Sequence, residues 1–539
     1  MTEALRFLAI AELIGLAALP LAGTVLGRLP GAGLGFAKPL GLLLVAWLVW
    51  IGGSLEIVPY TTASAIVAVV VVALAGLACA LGLRRGPPKQ RWWRAPRPAP
   101  EPRAPDPSRW PLLIGAEVVF VVTFCAMALL VAYSPDVWNT EKPMDMGFVN
   151  ALNQSRSFPP HDPWLAGADL NYYYFGHLVM ALVVRLTDVE PSRGYNLSIA
   201  LVFALTAAAL FTLAGTLWAA MRAALPDLRR SPVVVGLVAV VAVLVLGNIA
   251  GGRELLQTPD PPHGYDWFAP SRVVPGTINE FPWFSFLLAD LHAHVLALPF
   301  TLLAAGFSVQ VALFGPRARP RLRTLLETVV AAISLGALYA INSWSYPVMA
   351  GVFAAALVLW LRSPAAEGEE LRSVRWGLLV LALSIVLMLP FYLSFDPAAD
   401  GFGLVSDRRA LGDFLSDQAL LYGLFAALVA IAYAGRVAAS SKPWRNVIWL
   451  GVLLIVGGSL LAPLDDLAGV WGLALLLAVA LHSALSRRLA APERVLWLLI
   501  ACGLACVLLP EVVYVRDAFD GSDLERMNTV FKFGYHAWL

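Results

Sequence analysis

With 539 residues, 59% of them hydrophobic and only 14% charged, and a mean hydropathy of +0.74, this chain cannot be an ordinary soluble protein. Its apolar runs reach the roughly 20 residues needed to cross a bilayer, which predicts an all-α, polytopic transmembrane helical bundle in contact with lipid. The formal net charge of +2 points to no partner, because the charges are sorted by loop; no nucleic acid is expected to bind, and protein partners stay unknown.

Apolar segments lie near 5–26, 38–56, 60–83, 111–132, 194–222, 231–250, 286–314, 324–342, 346–361, 376–394, 417–435, 446–462, 468–485 and 493–509. Met1 to Leu26 lacks a basic leader and a clear small-residue cleavage site, so it reads as a retained span. Residues 1–83 are poor in polar motifs and are expected to form an N-terminal three-helix block. Residues 84–110 carry Arg84, Arg85, Lys89, Arg91, Arg94, Arg97, Arg103 and Arg109 among many prolines, a basic, disordered cytoplasmic linker. Residues 111–539 hold every polar cluster. The chain stops inside an apolar pattern with no cap, so further helices are expected beyond Leu539. Cys79, Cys125, Cys502 and Cys506 all lie in apolar runs and read as small hydrophobes rather than metal ligands.

Orientation follows from Lys and Arg in short loops. The basic loops around 222–230, 317–323, 362–375, 436–445 and 487–494 share the cytoplasmic side only if Tyr172 to Thr187 does not cross. That segment is therefore expected to be a short external or interfacial helix, its Tyr and His residues facing a polar cavity. The loops 133–193, 251–285, 343–345, 395–416 and 510–527 then all lie outside.

Four polar clusters fall in those loops. Lys142-Pro-Met-Asp145 opens a helix with Met144, Phe148 and Leu152 at helical spacing, as on a membrane surface; Asp145 either favours the helix dipole or serves as a general base. Asn171 leads into Tyr172, Tyr173, Tyr174, Phe175, Gly176 and His177; three consecutive tyrosines about 100° apart cannot all face an interface, so at least one turns into protein or ligand. Glu280-Phe-Pro is followed by Asp290-Leu-His292-Ala-His294. On a regular helix Asp290 and His294 share a face and His292 points elsewhere, whereas an unwound start could gather all three. Asp with two imidazoles suits zinc or manganese, and Asp290 with Glu280 and waters suits magnesium or manganese; the alternative is a hydrogen-bonded structural network. Glu525, Asn528, Lys532 and Tyr535 or His536 would form a polar stripe on one helix. Arg526 and Lys532 are suited to a phosphate, with a Glu525–Arg526 ion pair as the alternative. Asn342 and Trp344 mark a helix corner, mostly structural, with Pro347 in the next first turn.

From about 111 to the end, these motifs in order resemble the YYY membrane proteins of bacteria and archaea, the DUF2298 family. The resemblance implies relatedness to the GT-C glycosyltransferases, which have surface helices and a catalytic acid in a long first external loop and draw sugars from polyprenyl-phosphate carriers. It aligns Asp145 with that first-loop acid. Asp290 and His292 fall where some members place a second acid motif, although Asp-x-His stands here for the usual Asp-x-Asp.

The expected function is an integral glycosyltransferase of the cell membrane, its site facing outside. It would move a sugar from a polyprenyl-phosphate carrier to a hydroxyl acceptor with inversion. Asp145 and Asp290 are the catalytic candidates. Tyr173, Tyr174, His177, Glu280, Asn342, Trp344, Glu525, Arg526, Asn528 and Lys532 are candidates for substrate or phosphate, and Asp290, His292 and His294 for a divalent cation. All are expected to meet in one outer pocket. The alternatives are a transporter or flippase of a lipid-linked substrate and a metal-dependent membrane hydrolase.

Overall fold

The structure, a computed structural model, describes residues 2–84, 107–316, 321–405 and 465–539. Most of the basic stretch 84–110 and the expected segments 417–435 and 446–462 lie outside the described residues. Among the described residues eight stretches are long and apolar enough to cross a membrane: 2–25, 30–54, 62–81, 109–132, 191–224, 293–314, 322–341 and 491–511. The molecule is an all-α polytopic bundle, with one short pair of strands among the described residues.

The chain divides into two compact units, Met1–Val241 with Phe286–Asp396, and Ala242–Ser285 with Pro397–Leu539. In the first, α1 (Thr2–Val25), α2 (Ala37–Ser54) and α3 (Thr62–Arg84) pack on one another, and residues 1–83 fall in the same compact unit as α4 (Arg109–Ala132) and the helices after it. The reason is visible in buried polar ties. Lys38 of α2 is paired with Glu12 of α1 at 3.1 Å and with Glu117 of α4. Arg28, after α1, donates to the Phe314 carbonyl at 3.0 Å and pairs with Glu327 at 2.5 Å.

Between the spans lie α5 (Lys142–Gln154) and α6 (Phe175–Thr187), followed by α7 (Pro191–Ala224). Thirteen residues make α6 about 20 Å long, short of the roughly 30 Å hydrocarbon thickness. Tyr174, which precedes it, accepts a hydrogen bond from Trp50 Nε1 near the end of α2 at 3.1 Å. Arg185, in its last turn, lies 4.1 Å over the ring of Tyr60 in the α2–α3 connection. Both ends of α6 thus lie near the same end of α2. Phe175 to Val184 are all buried among neighbouring helices rather than lying on the surface of the bundle. The apolar run packs inside the bundle because helices surround it on every side.

Past α8 (Pro232–Leu244), α9 (Ile249–Gln257) and α10 (Pro261–Gly264), the expected span 286–314 is broken. It is α11 (Pro282–Leu288), α12 (Ala293–Leu296) and α13 (Leu298–Phe314), with Ala289 at φ 56° and His292 extended in the gap. Helices α14 (Arg321–Ile341), α15 (Ser345–Leu361), α16 (Glu370–Val386) and α17 (Leu389–Ser394) complete the first unit. In the second unit β1 (Phe402–Leu404) pairs antiparallel with β2 (Val513–Val515), alongside α18 (Asp465–Leu485), α19 (Ala491–Leu508) and α20 (Met527–Trp538).

Candidate functional site

Helix α5 begins at Glu141 with Pro143 in its first turn, and its buried face is Asp145, Phe148, Val149 and Leu152. That face meets the start of α6, where Gly176 permits close approach: a Cβ there would lie 2.9 Å from Leu296 Cβ and 3.0 Å from Ile341. His177, on the same turn, brings Nε2 to 3.0 Å from Asp145 Oδ1. Both side chains are 0% exposed. Asp145 Oδ2 and His177 Nδ1 are buried with no hydrogen-bond partner. The imidazole stands edge-on to Phe148 (centroids 5.5 Å apart, 89°) and to Tyr172 (6.0 Å, 63°).

The segment before α5 carries two non-glycine residues with positive φ, Asn139 (66°) and Thr140 (51°), an arrangement that costs backbone energy and persists where surroundings enforce it. Thr140 Oγ1 lies 2.7 Å from Asp290 Oδ1, and Glu141 Oε2 lies 2.7 Å from His292 Nε2. His292 Nδ1 is 2.6 Å from His294 Nδ1, and the Tyr172 hydroxyl is 3.4 Å from His292 Nε2. Below them Tyr195 of α7 receives the Leu291 N–H on its hydroxyl oxygen at 3.1 Å and reaches the Ala289 carbonyl at 3.4 Å. These bonds from Tyr195 of α7 and from Thr140 replace the helical ladder at 289–292, so of the two readings, a regular helix and an unwound start, the unwound one is found.

Burial pushes the Asp290 carboxyl up to about 6; the Thr140 hydroxyl opposes this, the Asp145 charge adds to it, and Lys142 and His292 lower it. Burial, with the charges of Asp145 and Glu141 after it, raises the Tyr172 hydroxyl well above its ordinary range. Asp145 and Asp290 are therefore within electrostatic reach of each other.

Asp145, His177, Asp290, His292 and His294 are thus joined in one network of the first unit. As placed, Asp290, His292 and His294 do not make a metal centre. Two nitrogens on one zinc stand about 3.4 Å apart for bonds of about 2.1 Å at tetrahedral angles, whereas these two imidazoles touch in a hydrogen bond. Among the described residues no set of three or more His, Cys, Asp or Glu side chains is disposed to hold a metal ion.

The other expected site residues lie elsewhere in their units. Tyr174 is committed to Trp50, and Tyr173 packs on Phe395 at 5.3 Å. Asn342 donates to Ser345 Oγ at 2.9 Å in the α14–α15 corner, with Trp344 beside it. In the second unit Glu280 accepts from Ser285 at 2.8 Å, and Asn528 donates to Asp517 at 2.8 Å. Arg526 pairs with Glu511 at 2.7 Å rather than with Glu525, which precedes α20 and so is not on its polar stripe. Lys532 is buried with its ammonium 4.2 Å over Phe531. A cavity of about 10 Å³ beside Glu511 has space for about one water, not a phosphate.

Sequence reasoning missed Thr140, Glu141, Tyr172 and Tyr195. The first two adjoin the Lys142-Pro-Met-Asp145 motif and could have been taken with it. Tyr172 belonged to the tyrosine run, but spacing alone does not say which of three turns inward. Tyr195 sits in an apolar span and gave no signal.

Fold and side chains together define a polytopic α-helical membrane protein with a linked group of carboxylates and imidazoles at one end of its first unit. The chain matches, over residues 44–539, the family model described as Uncharacterized membrane protein (DUF2298), and it belongs to that family. No curated protein and no solved structure matches it.

Proposed function

We propose that the chain is a glycosyltransferase of the cell membrane acting on a polyprenyl-phosphate sugar, with its site facing outside. The observation that carries this is the pair of carboxyls with different surroundings: Asp145 held by His177, and Asp290 raised to about 6 beside it. Two acids set apart in this way are suited to opposite proton tasks in one displacement. Asp145 takes the proton of the acceptor hydroxyl as that oxygen attacks the anomeric carbon. The sugar–phosphate bond breaks with its electron pair leaving on the phosphate, to which Asp290 gives a proton. A single displacement inverts the anomeric carbon. No step runs through a metal, because the residues do not fit one.

The test is Asp145→Ala in the full chain, supplied with a prenyl-phosphate-linked hexose and an alkyl hexoside acceptor. Product is expected to vanish while lipid donor binding persists. Unchanged turnover removes the reading, and lost binding with lost product supports instead a carrier of lipid-linked substrates.

A further inference from the structure

Asp145 and His177 come from segments 32 residues apart and meet where neither is exposed. An ionised carboxylate has about four lone-pair sites, so a fully buried one with a single hydrogen bond at Oδ1 is sparsely served, and its Oδ2 is bare. The imidazole has little freedom to turn away. Phe148, three residues after Asp145 on the same helix face, stands edge-on to it; Tyr172 borders it; and Gly176 lets α6 sit close on Leu296 and Ile341. The polar contact His177 makes is to Asp145, so holding that neighbour is the role its placement supports.

We infer that His177 is a positioning residue: its Nε2 fixes Asp145 Oδ1, so that the bare Oδ2 is the atom left to receive the acceptor's proton. This rests on the glycosyl-transfer reading for its consequence but not for its geometry. The acceptor O–H bond breaks, an Oδ2–H bond forms, and the freed electron pair makes the new glycosidic bond as phosphate departs. Oδ2 is sealed in this conformation, so the acceptor reaches it once the neighbouring chain opens.

The experiment uses the full chain in lipid nanodiscs, with His177→Gln, His177→Phe, Asp145→Ala and the double variant Asp145→Ala/His177→Phe. In thermal unfolding the double variant is expected to lose no more than the worse single one, since removing either partner already breaks the pair. Additive losses would overturn the inference. With the prenyl-phosphate-linked hexose as probe, His177→Phe is expected to lower kcat by about 100-fold at nearly unchanged KM. His177→Gln, whose side-chain amide can donate where Nε2 did, is expected to recover to within about tenfold of the parent. A folded His177→Phe protein with parental kcat would also overturn it. Should the parent itself be inert toward the probe, the transfer reading falls, and the stability cycle alone decides whether His177 holds Asp145.

Discussion

Burial holds the Asp290 carboxyl at about 6 against an ordinary 3.8, and that displacement has a sign. Between about pH 4 and pH 6 the folded chain binds more protons here than the unfolded chain, so stability falls as pH rises through that window. Asp290 is 8% exposed, and two pKa units correspond to about 3 kcal/mol lost once pH exceeds 6. Asp290→Asn can still accept from Thr140 and escapes the penalty. Its melting temperature should exceed the parent's at pH 8 and not at pH 4; an offset equal at both would contradict the buried acid. If Asp290 is also the proton donor, parental turnover should decline above about pH 6, and the variant should lose most activity at every pH.

Elements carry the next set of consequences. The placement of arginines and lysines predicts that α6 does not cross. Its interior location was not legible, because charge sorting reports only which side a loop occupies, never what surrounds a helix. The same limit applied at 286–314. Asp290, His292 and His294 left an unwound start open there, but the partners that make the break at 289–292, Tyr195 and Thr140, lie 90 to 150 positions away, where no local pattern reveals them. Single cysteines at Asn171 and Asp188, exposed residues flanking α6, should react with an impermeant maleimide from one and the same side of sealed vesicles. Labelling from opposite sides would mean that α6 crosses.

For the molecule as a whole, composition sufficed for the class: an apolar, all-α membrane protein. The candidate site was legible in part. Asp145, His177, Asp290, His292 and His294 did come together, whereas Tyr174 hydrogen-bonds to Trp50, Tyr173 packs on Phe395, and Asn342 and Trp344 lie at the α14–α15 corner. The sequence pattern marks polar residues in apolar surroundings equally, whether they hold a ligand or a neighbour. The ties of residues 1–83 to the first unit were hidden for a related reason, since a long basic stretch in sequence says nothing of distance in space. Glu327→Ala would leave Arg28 without its buried partner and should destabilise the protein by about 3–5 kcal/mol, read from unfolding in detergent. A loss under about 1 kcal/mol would mean that the pair is solvated after all.

The enclosed run from Phe175 to Val184 also sets what would be needed to move that helix. Apart from His177, which faces Asp145, the side chains of the run are apolar and buried, and the Trp50 and Tyr60 contacts tie the two ends of the helix. Shifting it would expose that apolar surface and part His177 from Asp145 at once, so helix and acid are set in place together.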